Sequence, residues 1–154
     1  MIGSLSRVGF LIALLALSAI VVAREGTPVR QVVLVQNSGW MEPFYTDKAS
    51  PLKPLVANLA SAVAGRDEVV VGLFNQADEV HLSPEWIYRG PGGGAGLGQA
   101  LAGAGLVRKQ SGAYADTDFK EALLGAIKQG LGNQSGIVWI VTNNKNSPNN
   151  SDAV

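Results

Sequence analysis

The sequence predicts an α/β fold, a mainly parallel sheet with one antiparallel edge strand, flanked by helices. Three observations predict it. Runs of consecutive apolar residues at Val32–Val35, Val69–Val71 and Ile137–Val141 read as strands covered on both faces, as in parallel sheets. Segments with apolar residues at helical spacing stand between those runs. Strand and helix therefore alternate, the order of crossover connections. At 154 residues and 47% hydrophobic, the chain is long enough for one domain with a real core and too short for two.

Taken in order, Arg7 precedes an apolar run from Val8 to Ala23, roughly 16 residues where a comfortable membrane span needs about 20. That length, with Val21-Val22-Ala23 before Arg24, is expected of a signal peptide over residues 1–23, the alternative being an N-terminal membrane anchor. Either places the remainder outside the cytoplasm, periplasmic or secreted. Membrane contact is expected only through residues 8–23, if they stay attached. Residues 24–30 form a linker, and Gln31 to Gln36 is the first strand. Ser50 and Pro51 are start signals for a helix whose Leu52, Leu55, Val56, Leu59 and Val63 share a face, with Gly65 as its stop. Glu68 to Phe74 is the second strand, and Glu79 to Leu82, alternating polar and apolar, is expected to return as the edge strand of a hairpin. A short helix is expected at Leu97–Leu101 within the glycine-rich stretch Gly90–Gly105. Another starts near Asp116 or Thr117 with Phe119, Leu123 and Ile127 on one stripe. Ile137 to Val141 closes a domain spanning residues 31–142, and the polar run 143–154 is expected to be disordered.

Several function classes lose support at this level. Twelve basic and twelve acidic residues cancel, so the electrostatic footprint of a nucleic-acid binder is absent. No cysteine is present, which excludes thiolate metal sites and cysteine catalysis. The glycine-rich stretch fits no Gly-x-Gly-x-x-Gly register and is not followed by Lys-Ser or Lys-Thr, so it does not read as a phosphate loop. Asn37-Ser38-Gly39 lacks the glycine two residues before the serine that a nucleophile elbow needs, and the single histidine, His81, falls on the expected edge strand. No catalysis is expected.

In open α/β sheets, ligands bind beyond the carboxyl ends of the strands. The loops after Val35, before Phe119 and after Val141 should therefore share one rim. The strand-loop Val33-Leu34-Val35-Gln36-Asn37-Ser38-Gly39-Trp40-Met41, the segment Ala115-Asp116-Thr117-Asp118-Phe119 and the strand end Val141-Thr142-Asn143-Asn144 together resemble the metal-site loops of the von Willebrand factor A (vWA) domain family. The resemblance covers roughly residues 31 to 144. It implies a Rossmann-like sheet and a rim in which an Asp-x-Ser-x-Ser loop, a threonine and a second aspartate hold a divalent metal. Gln36, Ser38, Trp40, Thr117 and Asn143 stand at the matching positions here, and only Ser38 and Thr117 keep the family's ligand type. The resemblance also implies further strands and helices after the fourth strand. A longer protein, or a partner that completes the sheet, is the expectation that follows.

The substitutions push one way. Mg²⁺ and Ca²⁺ are oxygen-seeking ions normally held by at least one or two carboxylates. Gln36 and Asn143 offer amides instead, and Trp40 removes a hydroxyl. The expectation is a degenerate metal-ion-dependent adhesion site that works without cofactor, in a protein-binding or assembly module at the cell envelope. Its partner-binding rim is expected at Gln36, Asn37, Ser38, Trp40, Thr117 and Asn143, with Phe44 and Tyr45 beside it. Three alternatives remain. Ser38, Thr117 and Asp118, or Asp116, would rebuild a weak Mg²⁺ or Ca²⁺ site for metal-dependent adhesion; the same rim would serve a small molecule; or the amides would serve only the loop backbone, with Trp40 packed beneath. For Asp116 and Asp118 the structural expectation is a helix cap and a favourable charge at the start of the helix dipole.

Overall fold

The computed structural model describes residues 29–146. The expected signal peptide or anchor at 1–23, most of the linker, and residues 147–154 of the polar tail lie outside the described residues. Within them, β1 (Arg30–Gln36), β2 (Glu68–Phe74), β3 (Glu85–Pro91) and β4 (Gly136–Val141) form a single sheet in the order β3-β2-β1-β4. β1 runs parallel to both β2 and β4, and β3 runs antiparallel to β2 at the edge. This is a Rossmann-like α/β architecture. Among the described residues no helix is long and apolar enough to cross a membrane.

Two layers of helix cover the sheet because alternate residues of each strand point to opposite faces. Val33 and Val35 of β1, with Val69, Val71 and Leu73 of β2, meet α2 (Leu52–Ala64) and α3 (Ala95–Gly103) through Leu52, Val56, Ala60, Leu97 and Leu101. Val32, Leu34, Val70 and Phe74 on the other face meet α4 (Phe119–Gly125), which runs on as one wide π-type turn at Ala126–Gly130. A 3₁₀ turn at Gly39–Met41 and the short α1 (Glu42–Thr46) follow β1 directly.

The structure corrects three expectations. The antiparallel edge strand is not at Glu79–Leu82; those residues turn, and Glu85–Pro91 pairs with β2. The later segment prevails because Tyr88 and Ile87 pack on the α2/α3 layer and Trp86 lies over Gly72 on the other face. His81 consequently sits in the connecting loop, bound to Asp78. In α2 the buried positions are Leu52, Val56, Ala60 and Ala64, while Leu55 is exposed, so the helix is rotated from the expected stripe. In α4 Ala122 and Ala126 face the core, and Leu123 and Ile127 are exposed. Small residues let both helices approach the sheet closely, a gain that outweighs turning the larger side chains inward.

The Asp78 loop is held by its own hydrogen bonds. The Asp78 carboxylate meets the His81 ring at 2.9 Å and accepts the backbone N–H of Val80 at 2.9 Å and of His81 at 2.7 Å. The His81 bond, then the two backbone bonds, hold the Asp78 carboxyl well below its ordinary value, at about 2. A depressed carboxyl stabilises the folded loop above its unfolded pKa, and that contribution is lost as pH falls from the ordinary carboxylate range through about 2. An NMR titration should place the Asp78 midpoint at about 2, and His81→Ala should move it upward.

Candidate functional site

The rim is built at the carboxyl ends of β1 and β4, where the connection leaving β1 turns to α2 on one face and the helix leading into β4 lies on the other. Gln36 is the last residue of β1, on the face of Val32 and Leu34, and is fully buried. Its amide nitrogen donates to Ser38 Oγ at 2.7 Å and to Thr117 Oγ1 at 2.8 Å, with the Lys145 carbonyl oxygen at 3.3 Å. Thr117 Oγ1 donates in turn to Ser38 Oγ at 2.6 Å. On its other side the Gln36 carbonyl accepts the Thr142 hydroxyl. The Lys145 carbonyl can only accept, which requires the nitrogen of the amide on that side. Three loops distant in sequence therefore converge on one side-chain amide, and a nitrogen occupies the point where their oxygens meet.

The flanks hold this arrangement in place. Gly39 N–H bonds to the Ala115 carbonyl at 3.0 Å, and a Cβ on Gly39 would stand 2.6 Å from Tyr114 Cβ, so only glycine permits the loop after β1 and the loop before α4 to close. Gly39→Ala should cost about 1–3 kcal/mol, read as a lower denaturant midpoint with unchanged slope. Asp118 caps α4 by accepting Glu121 N–H at 2.9 Å. Asp116 pairs with Lys109. The Tyr45 hydroxyl donates to the Gln36 backbone carbonyl at 3.2 Å, and burial pushes its phenol above the ordinary value. Beneath the rim, Asn75 Nδ2 donates to Asn37 Oδ1 at 3.0 Å, and Asn37 Nδ2 donates to the Gly105 carbonyl at 3.2 Å. An open cleft of about 530 Å³ lies beside Asn37, between Leu73, Glu85, Gln99 and Gly105.

The expected rim divides into a floor and a surface. Gln36, Asn37, Ser38 and Thr117 are all at most 1% exposed, so they support the loops from below. Trp40 is 42% exposed and is not packed beneath them, and Phe44 of α1 is 44% exposed. Asn143 is half-buried, with its amide donating to the Trp40 carbonyl at 2.6 Å. Lys145 carries its ammonium 5.2 Å from the centre of the Trp40 ring, tying the loop after β4 to the loop after β1. On the other side of Gly39 the Tyr114 hydroxyl donates to Glu42 at 2.9 Å, a bond that raises its phenol above the ordinary value, and Arg108 lies over its ring at 3.9 Å. Sequence reasoning missed Thr142 and the Lys145 carbonyl, and it set Tyr45 on the exposed surface beside Trp40, whereas Tyr45 is half-buried with its hydroxyl on the Gln36 backbone. Thr142 had a visible signal, a hydroxyl at a strand end beside Asn143; a carbonyl ligand has none.

These donors do not suit a hard divalent cation. Two hydroxyls, an amide and a peptide carbonyl carry no charge, while the nearby carboxylates of Asp116 and Asp118 serve an ion pair and a helix cap. Among the described residues no group of three or more His, Cys, Asp or Glu side chains is placed to hold a metal. Comparison with protein-family models, with curated proteins and with solved structures finds no match to this chain.

Proposed function

We propose that this chain is a vWA-like interaction module that acts outside the cytoplasm, at a cell envelope, and binds a protein partner through the surface around Trp40 without a metal ion. One observation carries the reading: the Gln36 nitrogen stands among Ser38 Oγ, Thr117 Oγ1 and the Lys145 carbonyl. An amide there neutralises the convergent oxygens by donating hydrogen bonds, so the loops close without an ion. Above it, Trp40 and Phe44 present aromatic surface of the kind that anchors protein interfaces, flanked by Lys145, Glu42 and Arg108 as a charged border. Catalysis is not part of the proposal, because a hydrolytic or transfer site would need an acid, base and nucleophile together. Metal-dependent adhesion through Ser38, Thr117 and Asp118 is the weaker reading, since two of those three donors are uncharged and one Asp118 oxygen is already committed to capping α4.

Two measurements test it. Titration calorimetry of the full chain with Mg²⁺, Mn²⁺ and Ca²⁺ should give no saturable heat; saturable heat abolished by Thr117→Ala would establish the metal reading instead. Capture from an envelope extract should lose its specific partner with Trp40→Ala and Phe44→Ala. Unchanged capture by both variants would remove this surface as the binding site.

A further inference from the structure

The cleft with Asn37 in its wall lies on the β2/β3 side of the sheet, between β3, the end of α3 and the segment after it. Leu73, Ile87 and Leu106 give it an apolar lining. Its volume of about 530 Å³ falls within the roughly 300–1,000 Å³ of small-molecule sites. The charge around it has one sign: among the described residues, Glu85 is the single ionisable side chain in the wall.

Glu85 opens β3 directly opposite Leu73, and paired residues share a face, so its side chain belongs to the face on which the cleft lies. Along the same strand, Trp86 is bonded to Gln129, Tyr88 to the Pro91 carbonyl and Arg89 to Glu68. The Glu85 carboxylate has no hydrogen-bond or ion-pair partner among the described residues. α3 ends at this cleft, where Gln99, Ala100 and Gly103 line it. The C-terminal end of a helix carries outward-facing carbonyl groups and the negative end of the helix dipole. This end already holds one alkylammonium group, since Lys53 Nζ donates to the Ala102 carbonyl at 3.0 Å.

A further acceptor is buried next to the wall. The Gly105 carbonyl can only accept, so it fixes the Asn37 amide nitrogen on its side and turns the Asn37 oxygen to Asn75. Asn75 must then present its nitrogen to Asn37, and its Oδ1, in a residue 1% exposed, is left with no donor among the described residues. An unpaired buried oxygen keeps its partial negative charge uncompensated.

We infer that this cleft is a binding site for an alkylammonium ion, a primary amine carried on a short apolar chain. Glu85 and the carbonyl end of α3 favour the charged head, while Leu73, Ile87 and Leu106 cover the chain. Anions and zwitterionic amino acids are disfavoured, because no basic side chain of the described residues stands in the wall to meet a carboxylate. Glu85 is exposed, so water screens its share of the attraction and added salt weakens binding. This inference does not rest on the surface around Trp40.

An NMR titration of the full chain with n-hexylammonium chloride at low salt should give saturable shifts at Leu73, Ile87, Gln99 and Gly105. The neutral 1-hexanol and the anion hexanoate should each bind there more weakly by roughly fivefold or more, and Glu85→Gln should raise the dissociation constant for the amine by roughly three- to fivefold. Should Glu85→Gln fail to fold, Gln99→Lys decides, since it sets a like charge on an exposed position of α3 and should weaken binding at least as much. Hexanol binding as tightly as the amine would overturn the inference by showing a merely apolar cleft. Shifts that avoid these residues, or an affinity unchanged by the folded charge variant, would overturn it as well. A parallel titration with Nα-acetyl-lysine methylamide distinguishes the source of the ammonium: tighter binding than hexylammonium assigns the site to a lysine side chain, weaker binding to a free amine, and both sustain the cation site.

Discussion

Replacing Phe74 by alanine should cost about 3–5 kcal/mol of stability. Phe74 is fully buried at the end of β2, and its ring packs on Phe119 at 5.4 Å between centroids with a 54° tilt. Truncation leaves a cavity that Ala122 and Ala126 are too short to fill, so the loss includes a cavity contribution as well as transfer free energy. The consequence reaches the rim. Phe119 opens α4 two residues after Thr117, so the pair of rings sets how far the loop before α4 stands from Ser38. Denaturant unfolding should show the lower midpoint, and hydrogen exchange should show faster opening around Thr117 and Glu121 than around the α2 layer on the opposite face. Uniform acceleration across both faces would mean that the ring pair does not position the site.

The second large effect belongs to Gln36. Gln36→Leu keeps most of the volume and removes both halves of the amide, leaving the Ser38, Thr117 and Thr142 hydroxyls and the Lys145 carbonyl without their shared partner in a buried site. Each buried polar group left unpaired costs about 1–3 kcal/mol, and the surviving Thr117–Ser38 bond limits the sum, so the expected loss is about 2–4 kcal/mol. Gln36→Glu separates the roles of hydrogen bonding and charge. A carboxylate still accepts from Thr142, but the Ser38 and Thr117 hydroxyls, which accept from the amide, must turn to donate, and the Lys145 carbonyl is left facing an oxygen with no hydrogen to offer. The carboxylate also provides the anionic oxygen that the wild-type loops lack. Added Mn²⁺ should therefore raise the melting temperature of Gln36→Glu by binding the native state, and leave that of the wild type unchanged.

The physics that made parts of this fold legible also explains what was hidden. β1, β2 and β4 stand out because strands in a parallel sheet are apolar on both faces, and the matching rim followed from topology alone: parallel strands bring their carboxyl ends to one side. The edge strand was misplaced because Glu79–Leu82 alternates as an edge should, whereas Glu85–Pro91 is flanked by prolines and includes Gly90. What settles the matter is tertiary: Trp86 over Gly72, and Tyr88 against the α2/α3 layer. The helix faces were misjudged for a related reason. Size of side chain suggested Leu123 and Ile127 as core, but close approach selected Ala122 and Ala126 and left the larger residues exposed. At the rim, Gln36, Ser38 and Thr117 were visible as a set. The direction of the Gln36 amide was not, because it depends on Thr142 and on a main-chain carbonyl that any residue at position 145 would supply.

The most direct test is site-resolved: NMR of the full chain with Mn²⁺ added in small steps, following the backbone resonances of Ser38, Gln36 and Thr117. With an amide nitrogen already seated among their oxygens, these signals should broaden no more than those of the remote turn at Gly132, beside Arg30 at the start of β1. Selective broadening of Ser38 and Thr117 in the wild type would show an ion where the Gln36 amide is placed, and would contradict the account.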